Sequence, residues 1–173
     1  MAVSVELDDI RAARDVISEV VKHTPVVSSL TLSADIGGNV VLKAENLQRT
    51  GAFKIRGAVN KVSSLGDAAS SGVVTGSAGN HAQALAFAAR HFGVPCEIFV
   101  PVGAAITKID ACRALGATVV EHGAALAEAV AAAQERSRAT SMTFCAPFDD
   151  VAVIAGQGTL GLELVEDIDD LAT

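Results

Sequence analysis

The stretch Glu45-Asn46-Leu47-Gln48-Arg49-Thr50-Gly51-Ala52-Phe53-Lys54-Ile55-Arg56-Gly57-Ala58 decides how the rest of this chain is read. An apolar strand-like run, Val40-Val41-Leu42, leads into it, and apolar residues at helical spacing over 55–65 lead out of it. Between them lies a polar turn with one glycine, Gly51, and Lys54 stands at the start of the expected helix. The positive end of a helix dipole disfavours an ammonium, so a lysine placed there has a lowered pKa and a more accessible neutral amine. That is one way a lysine becomes a nucleophile or a Schiff-base partner. The same position also fits a lysine whose long stem carries its charge out to solvent. Position alone fits both.

The 173 residues are enough for one compact domain with a sizeable core. Half are apolar, but aromatics are scarce, with six Phe and neither Tyr nor Trp, which argues against a stacking platform for single-stranded nucleic acid. A net charge of −7 without a Lys/Arg cluster argues against a phosphate-backbone partner. No apolar run approaches the roughly 20 residues needed to span a bilayer. The N-terminus, Met1-Ala2-Val3-Ser4-Val5-Glu6-Leu7-Asp8-Asp9, is acidic and unlike a signal peptide. The cysteines Cys96, Cys112 and Cys145 are odd in number and far apart, so neither a disulfide framework nor a metal site of thiolates is indicated. A cytoplasmic protein is the expectation.

Along the chain, residues 8–21 carry apolar side chains on one helical face, and His23-Thr24-Pro25 ends that helix. Residues 31–36 form a short helix, Gly37-Gly38-Asn39 a turn, and 40–44 a strand. A rhythm then sets in. Strands are expected at 72–75, 96–100 and 118–120, and helices at 80–92, 106–115 and 124–139, with Gly72, Gly93 and Gly116 closing elements. Residues 142–145 and 151–155 are short apolar runs, and 157–167 a last helix. Short apolar strands alternating with helices predict an α/β fold, a parallel sheet covered by helices on both faces. The chain ends where such a fold would place another strand, and is expected to be cut short.

Two further stretches could carry chemistry. Thr75-Gly76-Ser77-Ala78-Gly79-Asn80-His81 joins a strand to a helix, and its small residues leave backbone N–H groups uncovered at a helix start. That suits a carboxylate or phosphate, at the end of the strand where open parallel sheets place ligands. An ordinary turn with Ser77 or Asn80 as helix cap fits the same residues. Gly156-Gln157-Gly158-Thr159-Leu160-Gly161 matches G-x-G-x-x-G, but no second strand with an acidic residue about 20 positions on follows, so dinucleotide binding is not expected. The acidic cluster Asp167, Asp169 and Asp170 lacks the glycine and distal glutamate of a calcium loop and reads as a solvated face.

Taken together, the 45–58 stretch, Ser77-Ala78-Gly79-Asn80-His81-Ala82-Gln83, Phe148-Asp149-Asp150 and Val153-Ile154-Ala155-Gly156-Gln157-Gly158-Thr159 resemble the fold type II pyridoxal-phosphate enzymes, and within them the threonine/serine dehydratases. The resemblance covers nearly the whole chain but only about the N-terminal half of a family catalytic domain. It implies a tryptophan synthase β-like fold with an incomplete second domain. Residues 1–50 would begin the large domain, 51–150 form a small βα domain, and 151–173 start the remainder of the large one. It implies pyridoxal 5'-phosphate as cofactor, with Lys54 as its Schiff-base lysine, which then takes the substrate's α-proton. Phe53 would lie beside the cofactor and Asn80 would hydrogen-bond its ring hydroxyl. Ser77, Ala78, Gly79, Asn80 and His81 would hold the substrate carboxylate through backbone N–H groups. Gly156-Gln157-Gly158-Thr159 would be a turn at the edge of the site.

The implied reaction is removal of the β-hydroxyl and amino groups of L-threonine, or L-serine, to give 2-oxobutanoate, or pyruvate, and ammonia. Racemases of the family usually carry a second serine at the position of Ala78, and an alanine cannot carry a proton. The chain departs from the family pattern at Ala52, Val151 and the 101–105 loop. The phosphate-gripping glycine loop and the group facing the pyridine nitrogen would follow Thr173. The implied partners are an amino acid and, at full length, further copies of the same chain, with no nucleic acid or membrane. The alternatives are a non-catalytic short product, or another fold type II enzyme such as a racemase or a synthase using an O-activated serine.

Overall fold

The computed structural model describes residues 4–171. Met1, Ala2 and Val3, part of the acidic N-terminus, lie outside them, as do Ala172 and Thr173 at the chain's end. Helix α1 (Leu7–Ile17) is followed by strand β1 (Val26–Ser28), α2 (Leu30–Ile36) and β2 (Val41–Lys43). A 3₁₀ turn at Glu45–Leu47 leads to α3 (Lys54–Ser64), and a second at Gly66–Ser71 leads to β3 (Val73–Gly76). Then α4 (Asn80–Phe92), β4 (Cys96–Val100), α5 (Ile106–Ala114), β5 (Thr118–Glu121), α6 (Leu126–Ala139), β6 (Thr143–Phe144) and α7 (Val151–Asp167) follow.

The main sheet is parallel throughout, in the order β5-β4-β3-β6. Neighbouring residues of one strand face opposite sides, as the two-residue period of a strand requires. Val73 and Ile98 enter a core built with α3, α4 and α5, while Val74 and Phe99 enter a second one against Ala129 and Ala133 of α6. The sheet is therefore covered on both faces, as its near-continuous apolar strands predict. Gly93 closes α4 in the left-handed conformation at φ 67°, which a glycine adopts without steric cost.

Three expectations need correction. The first helix ends at Ile17 rather than running to Val21. Beyond it the backbone finds partners in the 45–58 stretch instead: Gln48 bonds both the N–H and the carbonyl of Lys22, and Arg49 Nε donates to the Val20 carbonyl at 2.6 Å. Strand β1 adds to the expected elements; with β2 it forms a separate antiparallel pair in which Val27 faces Leu42. Finally, 151–155 and 157–167 are one helix, α7, and Gly156-Gln157-Gly158-Thr159 lies inside it rather than in a turn at the site's edge. The glycines there serve helix packing. A side chain on Gly57 would come within 2.7 Å of the Val153 carbonyl oxygen, so only glycine lets α3 and α7 approach this closely.

Candidate active site

Lys54 is the first residue of α3, after Phe53 at the N-cap position, which contributes no side-chain cap. The lysine is half-buried and turned into the fold rather than stretched out from the surface. Its ammonium donates to the Pro147 carbonyl at 2.7 Å and lies 5.4 Å from the centre of the Phe53 ring. Burial lowers its pKa from the ordinary lysine value. The helix position gives the same direction of shift, but the cause that the structure adds is removal from water beside Pro147, 93 positions further along the chain.

Lys54 opens into a cleft of about 610 Å³ at the carboxyl end of β3. Phe53, Ser77, Asn80 and His81 line it with Lys54, as do Phe144 and Phe148 from the far side. The structure thus brings together five of the seven residues singled out from sequence. Ala78 and Gly79 are not on its wall. Ala78 packs against the core and lines a small adjoining cavity, and Gly79 is the N-cap of α4.

The loop before α4 is held open by its own bonds. The Ser77 N–H donates to the Phe99 carbonyl at 3.0 Å, and the Ser77 hydroxyl accepts from the Gly79 N–H at 3.3 Å. Gly79 supplies no capping side chain. Among the described residues the N–H groups of Ala78, Asn80 and His81 have no protein acceptor. Such uncovered donors at a helix start favour an anion.

His81 is 3% exposed. Its Nε2 lies 3.1 Å from the Cys145 carbonyl oxygen, which fixes the proton on that nitrogen and leaves Nδ1 buried without a partner. Burial pushes its pKa down to about 4, with the nearby Lys54 charge adding to the effect, so the ring is neutral near pH 7. Thr75 also donates to the Cys145 carbonyl, at 2.8 Å.

Behind Lys54, Arg56 is wholly buried and grips two carboxylates. It donates to Glu45 at 2.9 and 2.8 Å and to Glu163 at 2.6 and 3.0 Å. Burial works against its charge, but the two carboxylates outweigh that and hold its pKa above the ordinary value. Lys43 completes the group at 2.7 Å from Glu163 and 2.8 Å from Asp167. These bonds tie the segment before Lys54, the helix that starts with it and α7 into one unit. Sequence reading missed Arg56, Pro147, Phe144 and the Cys145 carbonyl. A buried arginine and a backbone carbonyl leave no local pattern.

Fold and cleft together define a class: an α/β protein that presents a desolvated lysine amine opposite an N–H-rich loop, with aromatic side chains beside both. The chain belongs to the pyridoxal-phosphate dependent enzyme family, whose pattern matches residues 17–173. It is 46% identical over 168 residues to the L-threonine ammonia-lyase of Thermotoga maritima, an alignment covering 96% of this chain and 42% of that protein. Its structure matches the maize serine racemase with a TM-score of 0.91, at 36% identity over 96% of this chain and 51% of that one. It matches the processed form of threonine deaminase isoform 2 from Solanum lycopersicum with a TM-score of 0.87, at 36% identity over 99% and 49%. The chain therefore spans about half the length of these relatives. The fold is the fold type II arrangement that the resemblance implied.

The residues present fit one side of such a cofactor. A flat aromatic aldehyde needs an amine, apolar walls and a donor for its ring oxygen; Lys54, Phe53 with Phe144, and Asn80 are of these kinds.

Proposed function

We propose that this chain supplies the reactive-amine half of a PLP-dependent ammonia-lyase that converts L-threonine, and L-serine, to 2-oxobutanoate, or pyruvate, and ammonia. The observation that carries this is the Lys54 amine, desolvated and facing the open N–H groups of the 77–81 loop across one cleft.

Pyridoxal phosphate, when bound, supplies the electron sink that lets an amino acid lose its α-proton. Lys54 would hold the cofactor through its amine and, once freed, would take the α-proton at Nζ; its lowered pKa raises the share of the neutral form that both roles need. The N–H groups of Asn80 and His81, which line the cleft, with that of Ala78 beside them, would hold the substrate carboxylate and so fix which bond faces Lys54. The Asn80 amide would donate to the cofactor's ring oxygen, and Phe53 and Phe148, which line the cleft, would flank the ring. His81, neutral and bonded to the Cys145 carbonyl, contributes shape and its backbone N–H rather than a proton. Ala78 carries only a methyl group, so no side chain at that position can return a proton from the opposite face. This favours elimination over the racemase reading that the maize structure otherwise invites.

We place residues 1–50 and 151–173 with a large domain and 51–150 with a small one, in a cytoplasmic enzyme that assembles into homo-oligomers at full length. In support of that division, α7 packs with α1, although it also packs with α3 of the 51–150 unit. No helix among the described residues is long and apolar enough to cross a membrane. Because the matched relatives are about twice as long, the 173 residues alone are expected to turn over threonine slowly or not at all.

The test is borohydride reduction after incubation with pyridoxal phosphate, followed by peptide mapping. A pyridoxyl group on Lys54, absent from Lys54→Ala, supports the proposal. Labelling spread over surface lysines with Lys54 spared would sink it. Assay for 2-oxobutanoate in the same mixture reads turnover.

A further inference from the structure

Lys108 lies on α5, outside the stretches singled out above for chemistry. Its Nζ is 3.1 Å from Oδ1 of Asn80. The neighbouring residue Ile109, 3% exposed, and Cys112, 2% exposed, seat α5 in the core and so fix where Lys108 stands. Lys108 also lines the small cavity beneath the anion loop, together with Ser77 and Ala78.

The chemistry of this contact settles the direction of an amide. An ammonium has three donors and no acceptor, so only the carbonyl end of Asn80 can face it. The amide nitrogen is thereby turned the other way. Among the described residues Nδ2 has no protein partner, while Asn80 itself lines the cleft with Lys54. A free asparagine at this exposed helix start would present either end. With Lys108 beside it, it presents donors.

We propose that Lys108 is a positioning residue: it holds the Asn80 carbonyl and so aims the Asn80 amide donors at an anionic ring oxygen in the cleft. This rests on the cofactor reading above. It assigns Lys108 an effect on the ligand without contact to it.

The test compares wild type with Lys108→Arg, Lys108→Met and Lys108→Glu. Arginine keeps a donor toward Oδ1. Methionine removes it. Glutamate accepts from Nδ2 and turns the carbonyl toward the cleft. Titration with pyridoxal phosphate, read by absorbance, should give wild-type affinity for Lys108→Arg. Lys108→Met should bind about tenfold more weakly, the loss of one hydrogen bond to a charged oxygen, and Lys108→Glu more weakly still. The pH midpoint of the bound chromophore should move in the same order. Equal affinities and midpoints in all four would overturn the inference. Nuclear magnetic resonance of the ¹⁵N-labelled, cofactor-free chain gives a second readout. The Asn80 side-chain amide signals should shift in Lys108→Met and stay in place in Lys108→Arg; unchanged signals in Lys108→Met overturn it too. Lys54 should remain the labelled lysine in every variant. If wild type itself is not labelled at Lys54, the cofactor reading fails, and the resonance experiment still decides whether Lys108 orients Asn80.

Discussion

Gly156 of α7 rests on Gly57 of α3: a methyl group at position 156 would lie 2.8 Å from the Gly57 Cα and 2.5 Å from the Arg56 carbonyl oxygen. Two helix backbones meet here with no side chain between them, one turn along α3 from Lys54. The helix that carries the amine is thereby clamped against α7.

Gly156→Ala must push the two helices apart, and is expected to cost about 1–3 kcal/mol, as overpacked cores do. Gly161 lies on the same helix, and nothing stands within 4 Å of the place its methyl group would take. Gly161→Ala is expected to stabilise by up to about 1 kcal/mol through helix propensity. Urea unfolding of the two variants checks the pair, and equal effects would contradict the close-contact account.

Arg56→Met leaves Glu45 and Glu163 facing each other without the guanidinium between them. Removing one partner of a buried ion pair costs about 3–5 kcal/mol. Arg56→Lys keeps a charge but cannot grip two carboxylates with a planar fork, so an intermediate loss is expected. Chemical denaturation measures both. A Met variant within about 1 kcal/mol of wild type, on the scale of an exposed pair, would show that the network adds little.

His81 predicts a pH dependence. Its pKa is about 4 in the fold against an ordinary 6.5, because burial disfavours the charged ring. Between these values the unfolded chain binds the extra proton. Stability is then full above pH 6.5 and falls as the pH drops toward 4, by about 3 kcal/mol in all. The carboxylates of Glu163 and Asp167, also shifted downward, lose their contribution only below their ordinary values of 4.5 and 3.8. Urea midpoints at pH 7.5, 6 and 5 should fall in wild type and stay level in His81→Gln. A flat wild-type profile over that range would refute the burial of a neutral ring.

Val27 and Leu42 are cross-strand partners in the β1–β2 pair, and are 43% and 45% exposed; nearby in sequence, Leu30 is 84% and Ile36 71% exposed. Apolar side chains displayed this way favour association. The isolated chain is expected to self-associate at micromolar concentration, and Leu42→Lys with Ile36→Lys to reduce it. Sedimentation velocity across a concentration series checks this; a monomer at every concentration would contradict it.

The α/β rhythm was legible because strand and helix periods are local properties. Helix α4, strand β4 and the glycine stop at Gly93 could be placed to the residue. Lys54 at a helix start and the bare loop at 77–81 were legible for the same reason, since a helix terminus is defined by its own few residues. Other features required contacts that sequence spacing does not carry. The first helix stops at Ile17 because Gln48 and Arg49, far along the chain, satisfy the backbone that would have continued it. Gly156-Gln157-Gly158-Thr159 looked like a turn because glycine marks turns, yet a helix accepts glycine when a second helix needs the space. Position left Lys54 open to solvent or to chemistry, with solvent the plainer reading. Only the tertiary structure turns its amine to Pro147 and the aromatic wall of the cleft, because desolvation depends on everything around a charge and not on its neighbours in sequence.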